Sequence, residues 1–297
     1  VPPGVGVPPD WLTPRWLLRI ATSGFILPGE PSGPFAAPGG TDEPSFVGGR
    51  LDRLRREVAW FPVTTHRCPI PGLVEPVRVL HLSDVHVRGD GDWLEQLVRD
   101  VAGIEADLVV LTGDVVARGW TEAAVDRFLG ALREARLGTF ACMGNWEHWG
   151  GAHPERWRAI LARHGIVLLI DEARTVGPFH LVGTDDGLSG QPDRRRILAA
   201  LHPTLPNVVL THSPAYFPAL IDPRVSLVLS GHNHGGQVRV GRFGPLWLPR
   251  GWGGYLAGWY SAGTTRLFVH RGVGWSVLPV RYRSPPELAM IELLPAP

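Results

Sequence analysis

From about residue 57 the chain alternates short apolar runs with helical periodicities, and this alternation constrains the fold more than any other feature. Apolar runs bounded by turn residues lie at 77–82, 108–111, 139–143, 167–170, 208–210 and 225–229. Between several of them the apolar residues recur at helical spacing. Trp93, Leu94, Leu97, Val98 and Val101 form one such set, and Val125, Phe128, Leu129 and Leu132 another. Strands alternating with amphipathic helices predict an α/β fold. Segments 237–240, 266–270 and 288–293 read as strands with no helix between them, which predicts a second, more antiparallel sheet.

The residues able to carry chemistry sit where these runs end. Asp84 and His86 follow the first run, Gly113-Asp114 the second and Gly144-Asn145 the third. His212 follows 208–210, and Gly231-His232-Asn233-His234 follows 225–229. Ligands of α/β sheets bind just beyond the carboxyl ends of strands. A lone Asp after a strand commonly caps a helix, and a lone His commonly packs. Five strands that each bring a metal-capable side chain to one edge point instead to a metal site.

Composition removes other classes of function. Basic residues number 29 against 28 acidic, so no global charge excess would hold nucleic acid or an anionic membrane. All the basic residues are arginine. No apolar run approaches the roughly 18 residues of a membrane span. Cys68 and Cys142 are too few for a disulfide framework or a thiolate metal site. Residues 1–56 are a different kind of sequence, because Pro and Gly fill 19 of the first 50 positions. They are expected to form an extension, partly docked or flexible, ahead of a domain at 57–297. Its apolar residues, from Trp11 through Ile26, would dock on the body of the protein or lie on a membrane surface. A first residue Val1 in place of Met leaves room for an upstream signal or anchor.

The five blocks resemble, in order and spacing over about residues 75–240, the signature of calcineurin-like metallophosphoesterases. Gly235-Gly236-Gln237, Phe243-Gly244-Pro245-Leu246, Arg271-Gly272-Val273-Gly274 and Pro285-Pro286-Glu287 are similar to a bacterial branch containing cell-envelope phosphodiesterases and enzymes acting on UDP-diacylglucosamine. The resemblance implies a two-sheet α/β/β/α metallophosphoesterase sandwich. It also implies that Asp84, His86 and His234 hold one divalent ion, that Asn145, His212 and His232 hold a second, and that Asp114 bridges them. Oxygen and imidazole donors without thiolate suit Mn, Fe or Zn. A hydroxide bridging such ions would attack phosphorus in line.

One position departs from the family pattern. Where the family usually has Gly-Asn-His-Asp or Gly-Asn-His-Glu, this chain reads Gly144-Asn145-Trp146-Glu147-His148-Trp149. The missing His protonates the leaving group or stabilises the transition state, and an indole N–H cannot transfer that proton. Three readings stay open: a substrate with a good leaving group, another acid such as His148 or a cap-loop residue, or a weakened enzyme. Against His148, a residue two places along a helix points about 200° away.

Arg88 is a candidate phosphate contact and equally a loop residue. Asp185 and Asp186 are expected in turns, and Arg194, Arg195 and Arg196 on a solvated helix face. Trp252, Tyr255 and Trp259, in a ring-rich stretch at 243–260, are either packing or one wall of a substrate groove.

The expected activity is hydrolysis of a phosphodiester or pyrophosphate, in a lipid- or nucleotide-linked substrate. The alternatives are a phosphomonoesterase or protein phosphatase, and a metal-bound phosphate-binding module with little turnover. Specific nucleic-acid binding is not expected. Peripheral membrane contact is compatible with the sequence, and a cell-envelope or membrane-peripheral location is favoured over the cytoplasm.

Overall fold

A computed structural model describes residues 57–240 and 244–296. The first strands are β1 (Val63–Pro71), β2 (Val77–Leu82), β3 (Leu108–Leu111), β4 (Thr139–Ala141), β5 (Ile166–Leu168) and β6 (Glu172–Val176). They are followed by β7 (Phe179–Gly183), β8 (Asn207–Leu210), β9 (Val225–Ser230), β10 (Gly258–Ala262), β11 (Thr265–Val269) and β12 (Leu288–Ala296). The helices are α1 (Asp92–Ala102), α2 (Glu122–Leu129), α3 (Asn145–Trp149), α4 (Pro154–Arg163) and α5 (Arg194–Ala199).

These strands form two six-stranded sheets, ordered β1-β12-β2-β3-β4-β5 and β10-β11-β9-β8-β7-β6. The central strands are mostly apolar on both faces because both are covered. In β2, Val77 and Val79 enter the core between the sheets, whereas Leu80 and Leu82 meet the helical layer. That layer buries Leu94, Leu97 and Val101 of α1, Val125 and Phe128 of α2, and Trp157, Ile160 and Leu161 of α4. On the outer face of the second sheet, Ile197 of α5 and Phe217 and Leu220 of a 3₁₀ turn pack against Val209 and Val228. The layers are therefore helix, sheet, sheet, helix, and each buried Val, Leu, Ile or Phe contributes about 1.5–3 kcal/mol.

The second sheet is the more antiparallel of the two, with two antiparallel pairings, at the edges β6 and β10, against one in the first, while β7, β8, β9 and β11 are mutually parallel. Of the three segments expected to be its strands, only 266–270 belongs to it, through β11. Parallel neighbours need a long crossover. The one between β9 and β11 holds a 3₁₀ turn and the strand β10 but no α-helix among the described residues, so it carries no helical periodicity to be read. Segment 288–293 joins the first sheet instead, with β12 parallel to β1 and antiparallel to β2. Segment 237–240 forms no strand, only isolated bridges from Val238 to Tyr282 and from Arg239 to Pro245. Expectations for residues 1–56 and for Phe243 lie outside the described residues.

β12 is anchored at its start by a buried ion pair. Glu287 accepts from the Arg271 backbone N–H (2.7 Å) and guanidinium Nε (3.0 Å) and from Thr64 Oγ1 (3.2 Å). Burial alone would raise this carboxyl, but Arg271 and then His270 outweigh it and hold it at about 2. Its folded pKa lies below the unfolded value of about 4.3. The stabilisation is therefore complete above that value and is lost as pH falls towards 2, in total about 3 kcal/mol. Urea unfolding between pH 6 and pH 3 should show a clearly smaller acid loss for Glu287→Gln than for the parent. Superimposable pH profiles would mean that the pair contributes nothing.

Candidate metal centre

Five strand ends from the two sheets meet at one edge. The loops after β2, β3 and β4 carry Asp84 and His86, Asp114, and Asn145; those after β8 and β9 carry His212, and His232 with His234. Main-chain hydrogen bonds extend the sheets into these loops: Asp84 N–H to Gly113 O (3.0 Å), His86 N–H to Asp114 O (2.9 Å) and Gly231 N–H to His212 O (3.0 Å). A Cβ on Gly113 would stand 2.6 Å from Gly144 Cα, so two glycines let the second and third loops touch. A Cβ on Gly231 would fall 2.3 Å from Asp84 Oδ2, the atom that accepts the His232 backbone N–H at 2.8 Å.

Asp84, His86, Asp114, His232 and His234 all have positive φ, between 49° and 73°. They are five of the eight non-glycine residues with positive φ among the described residues. Such conformations cost about 1–3 kcal/mol each, so the strain is concentrated on the candidate ligands.

The structure brings together all seven side chains that the sequence singled out as metal ligands. Asp84, His86 and His234 offer atoms within 4.8 Å of one another, and so do Asp114, His212 and His232. The Nε2 atoms of His86 and His234 are 3.0 Å apart, and Asp84 Oδ1 is 3.3 Å from the latter. His212 Nε2 lies 3.1 Å from Asn145 Oδ1 and 3.1 Å from His232 Nδ1. Asp114 Oδ2 stands between the groups, 3.7 Å from His86 Nε2 and 3.3 Å from His212 Nε2.

Hydrogen bonds at the far side of the rings set which nitrogen faces inward. His212 Nδ1 donates to Thr112 O (2.7 Å), and His232 Nε2 donates to Arg250 O. Burial, then neighbouring positive groups, holds His86 and His234 well below the ordinary imidazole range, and burial with His212 takes His232 to about 3. Neutral imidazole is the form that ligates a metal. Burial lowers His212, but Asp114 outweighs it and raises the ring; burial raises Asp114 itself to about 6. Asp84 Oδ1 is buried with no hydrogen-bond partner. An unpartnered carboxylate oxygen among inward-facing imidazoles fits a divalent cation.

Glu147 has no role that its sequence context alone assigns. It is fully buried and its carboxylate accepts from the backbone N–H groups of Asp114 (2.8 Å), Val115 (2.7 Å), Val116 (3.3 Å) and Gly144 (2.8 Å). Burial and Asp114 push this carboxyl up to about 7, against the pull of those donors. Only its place in the run after Gly144 hinted at the clamp.

A cleft of about 430 Å³ opens over Asp114, Asn145, His232 and His234, walled by Trp146, His148, Trp149, Trp247 and Arg250. Trp146 donates its backbone N–H to Asp114 Oδ1 (2.8 Å) and sets its indole edge-on to His86. His148 lines the same cleft, because α3 is little more than one turn and a rotation of about 200° around it does not carry the side chain away from the site. Its Nε2 is 2.8 Å from Asp185 Oδ1, and although burial lowers the imidazole, this carboxylate outweighs it and raises the pKa.

Other sequence candidates are engaged elsewhere. Arg88 donates to the carbonyls of His86, Trp275 and Ser276 and lies over the Trp275 ring, which makes it a strut between loops rather than a phosphate contact. Tyr255 packs on Phe217 and Tyr260, and Trp259 on Phe268 and His66, so neither walls the cleft. Trp252 is absent from the lining too; among the described residues of that stretch, Trp247 is the ring that reaches it. Sequence spacing alone does not say which rings of a loop turn inward.

Residues 77–236, a little over half of the chain, match the model of the calcineurin-like phosphoesterase family. Phosphodiesterase YaeI of Escherichia coli is 32% identical over 80% of this chain and 90% of its own length. The uncharacterized metallophosphoesterase YkuE of Bacillus subtilis is 29% identical over 75% and 81%. The UDP-2,3-diacylglucosamine pyrophosphatase LpxG of Chlamydia muridarum is 24% identical over 74% and 84%.

Proposed function

We propose, because the chain belongs to the calcineurin-like phosphoesterase family, that this hydrolase cleaves a phosphodiester or pyrophosphate linkage at a centre of two divalent metal ions. The observation that carries this reading is the position of Asp114 Oδ2 between two groups of inward-facing donors. Asp84, His86 and His234 would hold one ion, Asn145, His212 and His232 the other, and Asp114 would be shared. Ions bound there supply Lewis acidity towards a phosphoryl oxygen and an activated water.

The chain's own groups do the rest. Asp114 and the four imidazoles, His212 and His232 fixed by backbone carbonyls and His86 and His234 stacked on each other, keep the donor atoms in place without reorganisation. Trp146, Trp149 and Trp247 present flat apolar walls to the substituents of a diester, and they reduce the water around the phosphorus. His148 takes the place of the absent family His. Asp185 holds its Nε2–H, and the proton on Nδ1 is the one passed to the leaving oxygen. A diester or pyrophosphate is also the kind of linkage in the names of YaeI and LpxG.

With Mn supplied, turnover of bis-p-nitrophenyl phosphate should exceed that of p-nitrophenyl phosphate, and a chelator should abolish both. His148→Ala should slow a diester with an alkyl leaving group by about 10²-fold. It should leave the nitrophenyl diester, whose leaving group needs no proton, within a few fold. A preference for the monoester would reject the diesterase reading, and equal losses on both diesters would remove His148 as the acid.

A further inference from the structure

Charge and apolar surface are unevenly distributed around the cleft. Between Asp222 and Glu287 the chain contains eight arginines and no aspartate or glutamate. Some of these arginines are already engaged: Arg224 pairs with Asp222, Arg271 pairs with Glu287, and Arg281 is buried. Arg239, Arg250 and Arg283 are exposed and make no ion pair among the described residues.

The same region carries the exposed apolar side chains. Nine large hydrophobic residues are exposed among the described residues, and five of them lie at 240–247 and 277–278. They include Leu246 (52% exposed), Trp247 (40%), Val277 (47%) and Leu278 (53%). The two segments run side by side: Arg239 N–H donates to Tyr282 O (2.9 Å), and Gln237 Nε2 donates to Leu278 O (3.0 Å). Trp247, Arg250 and Ser276 from these segments also line the cleft. The apolar tips are therefore on its rim.

An apolar fringe holding a Trp, flanked by unpaired arginines and free of carboxylates, matches the two layers of an anionic bilayer surface. Side chains of this kind enter the headgroup and acyl boundary, while guanidinium groups meet lipid phosphates. No helix among the described residues is long and apolar enough to cross a membrane, so contact through this region would be peripheral. We propose that the rim formed by residues 237–240, 244–250 and 275–283 docks on an anionic lipid surface. Docking stands independently of the reaction. Its consequence, delivery of a lipid-linked phosphoester to the cleft, rests on the phosphoesterase reading above.

Flotation of the full chain with phosphatidylcholine vesicles, with and without about one-third phosphatidylglycerol, tests this. Binding should require phosphatidylglycerol and weaken in 0.5 M salt, as expected when the Debye length shrinks. Leu246→Ser with Leu278→Ser should lower the partition constant at least tenfold. Arg239→Gln with Arg283→Gln should do the same and also flatten the salt dependence. The two pairs are independent, and the thermal transition and chelator-sensitive hydrolysis of a small soluble diester report folding in each.

Vesicle binding unchanged in both folded variants would place any membrane contact elsewhere in the chain and overturn the proposal. So would absence of vesicle binding by the parent, including the case in which sedimentation shows this face pairing two copies instead. Soluble-diester turnover that persists in either of those cases leaves the phosphoesterase reading standing.

Discussion

Asp114→Ala should reduce turnover of a diester substrate by at least about 10³-fold, the largest loss expected of any single substitution here. Its Oδ2 is the oxygen within 4 Å of both His86 and His212, and its Oδ1 accepts the Trp146 backbone N–H. Truncation thus removes a donor from both groups at once and frees the start of α3. Metal content after dialysis, measured by atomic emission, should fall well below that of the parent with either Mn or Zn. Asp114→Asn separates the two losses, because it keeps an acceptor for the Trp146 N–H and gives up the charge. It should keep the parent's thermal transition more nearly than Ala does while losing most of the activity. Full metal content and near-parental turnover in Asp114→Ala would dismiss the shared-ligand assignment.

Glu147→Ala should be the most destabilising substitution at the site, by about 3–5 kcal/mol. The carboxylate is fully buried and collects four backbone N–H groups from two loops. Alanine would leave those donors without acceptors in a place water does not reach. Each such orphan costs about 1–3 kcal/mol before relaxation, and relaxation is limited because Gly113 and Gly144 already touch. In a protein of this size that corresponds to a fall in Tm of roughly 10 °C. Glu147→Gln should lose less, since one oxygen remains to accept while the new NH₂ confronts a donor. A fall in Tm under about 3 °C for Glu147→Ala would show that the four contacts are not holding the loops.

The fold was legible in the sequence where a strand is covered on both sides. β3 and residues 208–210 of β8 are unbroken apolar segments, and β2 and β9 are mostly apolar despite Arg78, His81, Ser226 and Ser230, because helices or a second sheet meet each face. Edge strands escaped for the opposite reason. β1 alternates polar and apolar residues around Pro69 and Pro71, and β6 is the polar run Glu172–Val176. Both lie at a sheet margin with one side in solvent.

The candidate ligands were legible because each is a rare residue type at the end of a strand, and order along the chain carries that signal directly. Position in the chain decided which residues arrive at the edge: Asp84, His86, Asp114, Asn145, His212, His232 and His234 follow from strand ends and glycine turns. Tertiary structure alone decided how they are used. It selected Glu147 as the clamp, turned Arg88 towards carbonyls, packed Tyr255 and Trp259 against the edge of the core, and brought Trp247 and His148 to the cleft. The physical reason is one of range. Strand and turn propensity act over a few residues, whereas the partner of a carboxylate or a ring is set by loops 30 to 200 residues apart, and those meet only after both sheets have packed.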